Sequence, residues 1–204
     1  MITLYKYEGK NKQELSTKYL EELNVTENDI FIKEIEEESK LFKTKKYIIE
    51  VLKKEDIIDY VKSYIKNLEQ GLNIKINSEV NFQDDILKIV LVSDNNSILI
   101  GKEGRTLSAI QLLLKNSIIN QTGINIKINI DASNYKAKKQ KNLEYEIKKI
   151  AKDVLNTHME VKLDPMNSYD RRCVHNVIAQ YKELKSVSFG ESPNRYVVIS
   201  FKED

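Results

Sequence analysis

Two of the chain's six glycines stand three residues apart, at 101 and 104, within NNSILIGKEGRTLSAIQ at 95–111. An apolar SILI run precedes them. From Arg105 to about Gln121, residues Leu107, Ile110, Leu114 and Ile118 share one helical face. Two helices joined by so short a turn need backbone conformations that glycine adopts freely, so the stretch reads as helix, turn, helix. Gly123 ends the second helix and INIKINI alternates as a strand. Upstream, Glu55 and Asp56 suit a first helical turn, and Ile57, Ile58, Val61, Tyr64, Ile65 and Leu68 form a stripe that Gly71 is expected to stop. LNIKINSEV and ILKIVLV follow as strands, the second apolar enough to be central. The order over 55–132 is α-β-β-α-α-β.

On either side the patterning changes. Residues 1–54 read as a small β-α-β-β unit: Ile2, Leu4 and Tyr5 alternate, Leu15, Tyr19, Leu20 and Leu23 share a helical face that Asn24 ends, and Ile30–Ile35 and Tyr47–Leu52 alternate as paired strands. Residues 133–204 begin with a long lysine-rich helix from Asn134, followed by the short strand MEVKLDP. A helix capped by Asn167 or Ser168 runs to about Lys182, and a β-hairpin turns at GESPN. The fold class is α+β, in three small domains of 1–54, 55–132 and 133–204.

Composition removes several function classes. No apolar run approaches the roughly 20 residues that span a bilayer, and the opening MITLYKYEGK lacks a signal-peptide pattern. One cysteine, Cys173, and two histidines, His158 and His175, predict no disulfide, no structural metal and a reducing, cytoplasmic setting. Neither GxxxxGK[ST] nor GxGxxG occurs, and no paired carboxylates or triad order appears, so no enzyme and no cofactor are expected. The net charge is +2, but the three segments carry 0, −2 and +4. The last balance suits a polyanionic partner and equally a solvated lysine-rich helix, with Lys136, Lys138, Lys139 and Lys141 the candidate contacts.

A helix that starts at GKEG aims its free N–H groups and its dipole at the turn, where a backbone phosphate fits. Glycines there also keep Cβ atoms out of a ligand's approach. The alternative is that the pair serves only a tight helix–helix turn. IGKEGRTL is similar to the IGxxGxxL of KH domains, which clamp single-stranded backbone in a GXXG loop, and the element order resembles the type II KH arrangement. That resemblance makes Ile100, Gly101, Lys102, Glu103, Gly104 and Arg105 the candidate loop. Lys102 attracts phosphate and Glu103 repels it, which predicts weak RNA binding by this domain alone.

On the helix after Asn167, Arg171 and His175 stand one turn apart at the edge of a stripe made by Cys173, Val174, Val177, Ile178 and Tyr181. Together they can donate to one phosphate, although a histidine of ordinary pKa is mostly neutral at pH 7. Taken alone, His175 reads rather as a border residue satisfying a backbone carbonyl. RRCVH resembles the Arg-xxx-His signature of the R-three-H domain, an α/β module that binds single-stranded nucleic acid, and SFGESPNRYVVI is similar to its closing hairpin. The resemblance implies roles for Arg171, Arg172, His175, Asn194 and Arg195.

A KH domain followed by an R-three-H domain, with a small domain ahead, resembles the Jag family, the SpoIIIJ-associated proteins also called KhpB or EloR. INIDASNYKAKKQKNLE, PMNSYDRRCVHNVI and SFGESPNR carry the likeness, with YKYEGKNKQEL at the start. One departure lies in the first domain, where the family's glycine-bearing KKGFLG-like loop is replaced by ESKLFKTKK, with Leu41 and Phe42 but no glycine. The resemblance implies an RNA-binding regulator of cell elongation, division or sporulation in Gram-positive bacteria. It also implies pairing with a small stand-alone KH protein or self-association, and a link to a membrane-protein insertase without insertion of its own. The alternative is a protein-interaction adaptor for which RNA is incidental.

Overall fold

The computed structural model describes residues 1–38 and 45–202, in two compact units, Met1–Ser133 and Asn134–Asp204. Leu41 and Phe42 of the glycine-free loop lie outside the described residues. Among the described residues no helix is long and apolar enough to cross a membrane.

The first unit opens with β1 (Tyr5–Gly9), α1 (Lys12–Leu23), β2 (Ile30–Glu38) and β3 (Lys45–Lys53). β3 is the middle strand of an antiparallel sheet ordered β1-β3-β2, with Tyr7 opposite Ile49 and Ile32 opposite Val51. α1 starts because the Asn11 side chain accepts from the Gln13 N–H, and it stops at Asn24, which takes the left-handed conformation asparagine tolerates. Tyr7, Leu15, Tyr19, Ile30, Ile49 and Val51 pack between helix and sheet. The opening strand begins later than the alternation of Ile2, Leu4 and Tyr5 predicts. Ile2 is buried, and its N–H donates to Gln121 Oε1 at 3.0 Å, so its apolar character reflects tertiary docking rather than strand pairing.

β3 passes straight into α2 (Lys54–Leu72), so no linker separates the two sets of elements. Gly71 does not stop this helix. It lies inside the last turn, and Asn73 at φ 52° forms the cap, its N–H bonded to the Gln70 carbonyl. Next come β4 (Ile76–Gln83), β5 (Ile86–Ser93), α3 (Asn96–Ile100), α4 (Arg105–Thr122) and β6 (Lys127–Ala132). The sheet runs β4-β5-β6, antiparallel then parallel. β5 is central, with Leu87, Ile89 and Leu91 buried. Ile57, Val61 and Ile65 of α2 and Leu107, Ile110, Leu114 and Ile118 of α4 are buried as well, as the helical stripes predict.

The second unit consists of α5 (Tyr135–Thr157), β7 (Val161–Lys162), α6 (Ser168–Ile178), β8 (Leu184–Phe189) and β9 (Tyr196–Phe201). Its antiparallel sheet runs β7-β9-β8. Ile147, Ala151 and Val154 of α5, Val174, Val177 and Ile178 of α6, and Val197 and Ile199 of β9 form its core. α6 ends at Ile178 rather than near Lys182. Two tight turns, Gln180 N–H to the Val177 carbonyl and Tyr181 N–H to the Ile178 carbonyl, close it early. Leu184 is then delivered to the core at the start of β8, a position a continuing helix would not reach.

Candidate nucleic-acid interface

α3 is five residues long and is held by Asn95, which accepts from the Ile98 N–H, and by Leu99, which is fully buried. The chain then reverses through three positive φ angles, 72° at Gly101, 56° at Glu103 and 81° at Gly104. The Gly104 N–H donates back to the Gly101 carbonyl at 3.3 Å. A Cβ at Gly101 would overlap the Thr106 hydroxyl and stand 2.8 Å from the Thr106 Cβ. The space that the missing side chain leaves is therefore taken by this chain's own threonine. What the turn does present is the start of α4. Gly104 offers no side chain to cap that helix, and Lys102, Glu103 and Arg105 are exposed around it, with Ile100 half-buried. Arg105 Nη2 lies 3.4 Å from Glu103 Oε2, so the acid of the loop partly engages the loop's own arginine.

On α6, Asn167 accepts from the N–H groups of Tyr169 and Asp170 at 2.9 and 3.0 Å, which sets the helix start and hence the phase of everything after it. Arg171 and His175 are both half-buried, at the border of the stripe. They meet over β8. His175 Nδ1 lies 2.7 Å from Ser186 Oγ and Nε2 lies 2.9 Å from Ser188 Oγ, while Arg171 Nη1 donates to the same Ser188 Oγ at 3.3 Å. Arg171 Nε is buried and has no partner. Burial first, and the Arg171 charge second, hold the His175 pKa below 6.5, so the ring is neutral at pH 7. A neutral ring donates from one nitrogen and accepts at the other, a role two serine hydroxyls can complement.

The partners of His175 are thus side-chain hydroxyls rather than a backbone carbonyl. Ser186 and Ser188 are the residues that sequence reasoning missed. A signal was present: in LKSVSF they follow the buried Leu184 at the period of two that points side chains to one face, where a strand ordinarily carries apolar residues.

Asn194 and Arg195 are exposed in the turn that joins β8 to β9, and the Arg195 carbonyl accepts from the Met166 N–H at 3.0 Å. That turn begins two residues beyond Ser188, roughly 7 Å along the strand. Arg172 is exposed beside Arg171. In the basic helix, Lys139 Nζ lies 2.8 Å from Asp170 Oδ2, so this lysine ties α5 to the first turn of α6, while Lys136, Lys138 and Lys141 are exposed. Cys173 is buried, and that burial raises its thiol pKa, which leaves it a poor nucleophile. Among the described residues no group of histidine, cysteine and carboxylate side chains could hold a metal ion.

Residues 54–130 match the KH domain of KhpA and KhpB, and residues 141–201 match the R-three-H domain. GKEG falls in the first match and Arg171–His175 in the second. The RNA-binding protein KhpB of Bacillus subtilis (strain 168) is 30% identical over 200 residues, covering 95% of this chain and 96% of that protein. This chain belongs to the KhpB family. The KhpB of Clostridium symbiosum is 32% identical over 201 residues, covering 96% of this chain and 90% of that protein. The KhpB of Streptococcus pneumoniae serotype 2 is 25% identical over 145 residues, 71% of this chain and 44% of that longer protein. The KhpB assignment agrees with the resemblance carried by IGKEGRTL and RRCVHNVI. It also agrees with the α+β class expected of a KH domain joined to an R-three-H domain.

Proposed function

We propose that this chain is a non-enzymatic binder of single-stranded RNA, built as three domains of 1–54, 55–132 and 133–204. One observation carries the reading: the guanidinium of Arg171, held at a buried border with an unpartnered Nε, shares the Ser188 hydroxyl with His175 and is poised for an anion. Arg172, Asn194 and Arg195 extend this site, and Lys136, Lys138 and Lys141 add charge along α5. The loop Ile100, Gly101, Lys102, Glu103, Gly104 and Arg105 supplies a second, weaker site at the α4 N-terminus. Linkage of two weak sites raises avidity without new contacts. The names of the KhpB relatives support RNA as the partner. A cytoplasmic regulator of elongation, division or sporulation, linked to a small KH protein and to an insertase, is the biology this reading proposes.

A second reading, a protein-interaction adaptor, is favoured by Leu112 and Leu113, which are 58% and 59% exposed side by side on α4. Filter binding separates the two. Gly101→Asp with Gly104→Asp, and separately Arg171→Ala, are expected to weaken RNA binding, and unchanged affinity in both variants rejects the RNA reading. A protein partner retained after RNase treatment but released by Leu112→Ser supports the adaptor.

A further inference from the structure

The face of the second unit's sheet that points away from α5 and α6 is neither buried nor neutral. β8 and β9 alternate strictly: Leu184, Val197 and Ile199 enter the core, while Val187 and Phe189 are 45% and 47% exposed. The register sets Phe189 opposite Tyr196 and Val187 opposite Val198 on that outer face. The two rings are 6.1 Å apart at 31° between planes. Lys162 of β7 pairs with Val198 and lays its Nζ 4.3 Å over the Tyr196 ring, and Lys185 points outward opposite Ser200. None of the three strands contains an aspartate or glutamate.

We infer that this outer face is a base-stacking platform for single-stranded RNA, with Phe189 and Tyr196 as the ring surfaces and Lys162 and Lys185 as the phosphate-facing charges. The inference rests on the proposal that Arg171 and His175 hold a phosphate, and it adds a path for the strand. β8 is an edge strand, and Ser188 and Phe189 are consecutive, about 3.8 Å apart between Cα atoms, with side chains on opposite faces. A nucleic-acid strand that crosses this edge has its phosphate against Arg171 on one side and its next bases against Phe189 and Tyr196 on the other. The chemistry favours an unpaired polyanion over a protein. Stacking on exposed rings flanked by cations is how single strands are held without sequence preference, whereas the centre of a protein interface is depleted in lysine. Val187 and Val198, the next pair along the two strands on the same face, extend the apolar surface beside the rings.

The test uses the full chain and fluorescence anisotropy with a labelled oligouridine RNA and an abasic ribose-phosphate oligomer of equal length. Phe189→Leu and Tyr196→Leu keep apolar bulk and remove the ring, and thermal melting checks that both variants fold. Each is expected to bind oligouridine on the order of fivefold more weakly and the abasic oligomer as tightly as the parent chain. Parent affinity of both variants for oligouridine, with Arg171→Ala still weakened, overturns the platform and leaves the phosphate site standing. Parent affinity in all three variants removes the underlying reading as well. Equal losses on the two oligomers, or a change in sedimentation of Phe189→Leu without RNA, assign the rings to backbone positioning or to self-association, and either result overturns the platform.

Discussion

His175 Nε2 and Ser188 Oγ lie 2.9 Å apart, and the same hydroxyl accepts from Arg171 at 3.3 Å, so one serine positions both members of the Arg-xxx-His pair. The pair is therefore oriented by the strand beneath it and not by the helix alone.

Stability should depend on pH through this ring. The folded pKa of His175 lies below 6.5, so near that pH the unfolded chain binds the proton more readily than the folded one. This contribution is complete above the ordinary histidine value and is lost as pH falls from 6.5 through the folded value. Thermal melts of the parent chain and of His175→Gln across this range are expected to converge as the solution is acidified. Parallel curves would show that the ring is not held neutral by the fold.

RNA affinity should show the opposite sign, because a bound phosphate favours the protonated ring. Affinity is expected to tighten as pH falls through the folded pKa of His175, and His175→Gln should flatten that dependence. Anisotropy titrations at fixed ionic strength measure it directly.

Arg171→Ala should reduce the slope of log affinity against log salt by about 0.7, the loss of one phosphate contact to a single strand. Arg171→Lys should restore the slope without restoring full affinity, since a lysine carries the charge but not the planar fork. A slope unchanged in Arg171→Ala would place the arginine away from phosphate.

The helical stripes and the two glycine-flanked residues of GKEG could be read from sequence because they depend on spacing within one element. Features that depend on a second element could not. Gly71 looks like a helix stop until Asn73 is seen to cap, and the end of α6 is set by where Leu184 must enter the core. Ile2 mimics a strand residue because docking beside Gln121 and strand pairing both select apolar side chains. For the site, Arg171 and His175 were visible as a turn of helix, whereas Ser186 and Ser188 join them only through the fold. The glycine at 101 was visible, but its reason was not, since Thr106 fills the space five residues on.

Asn167 is expected to matter beyond its own turn. Its side chain accepts two N–H bonds and donates to Asp170 at 2.9 Å, and Asp170 in turn holds Lys139. Asn167→Ala should cost about 1 kcal/mol in urea unfolding of the second unit, and Asn167→Ser should recover most of it. An alanine variant as stable as the parent would show that the cap is redundant with the helix's burial.

Gly101 provides the sharpest test of the loop's construction. At φ 72° and ψ 178° it occupies a region essentially restricted to glycine, where another residue costs about 1–3 kcal/mol, and a Cβ would also meet Thr106. Two penalties thus act at one atom, and they can be separated. Gly101→Ala should destabilise the first unit in urea unfolding. Adding Thr106→Ala should recover only part of the loss, because the hydroxyl collision goes while the Thr106 Cβ, 2.8 Å away, and the backbone strain remain. Full recovery would mean that the glycine is needed for Thr106 alone. No recovery would mean that backbone conformation decides.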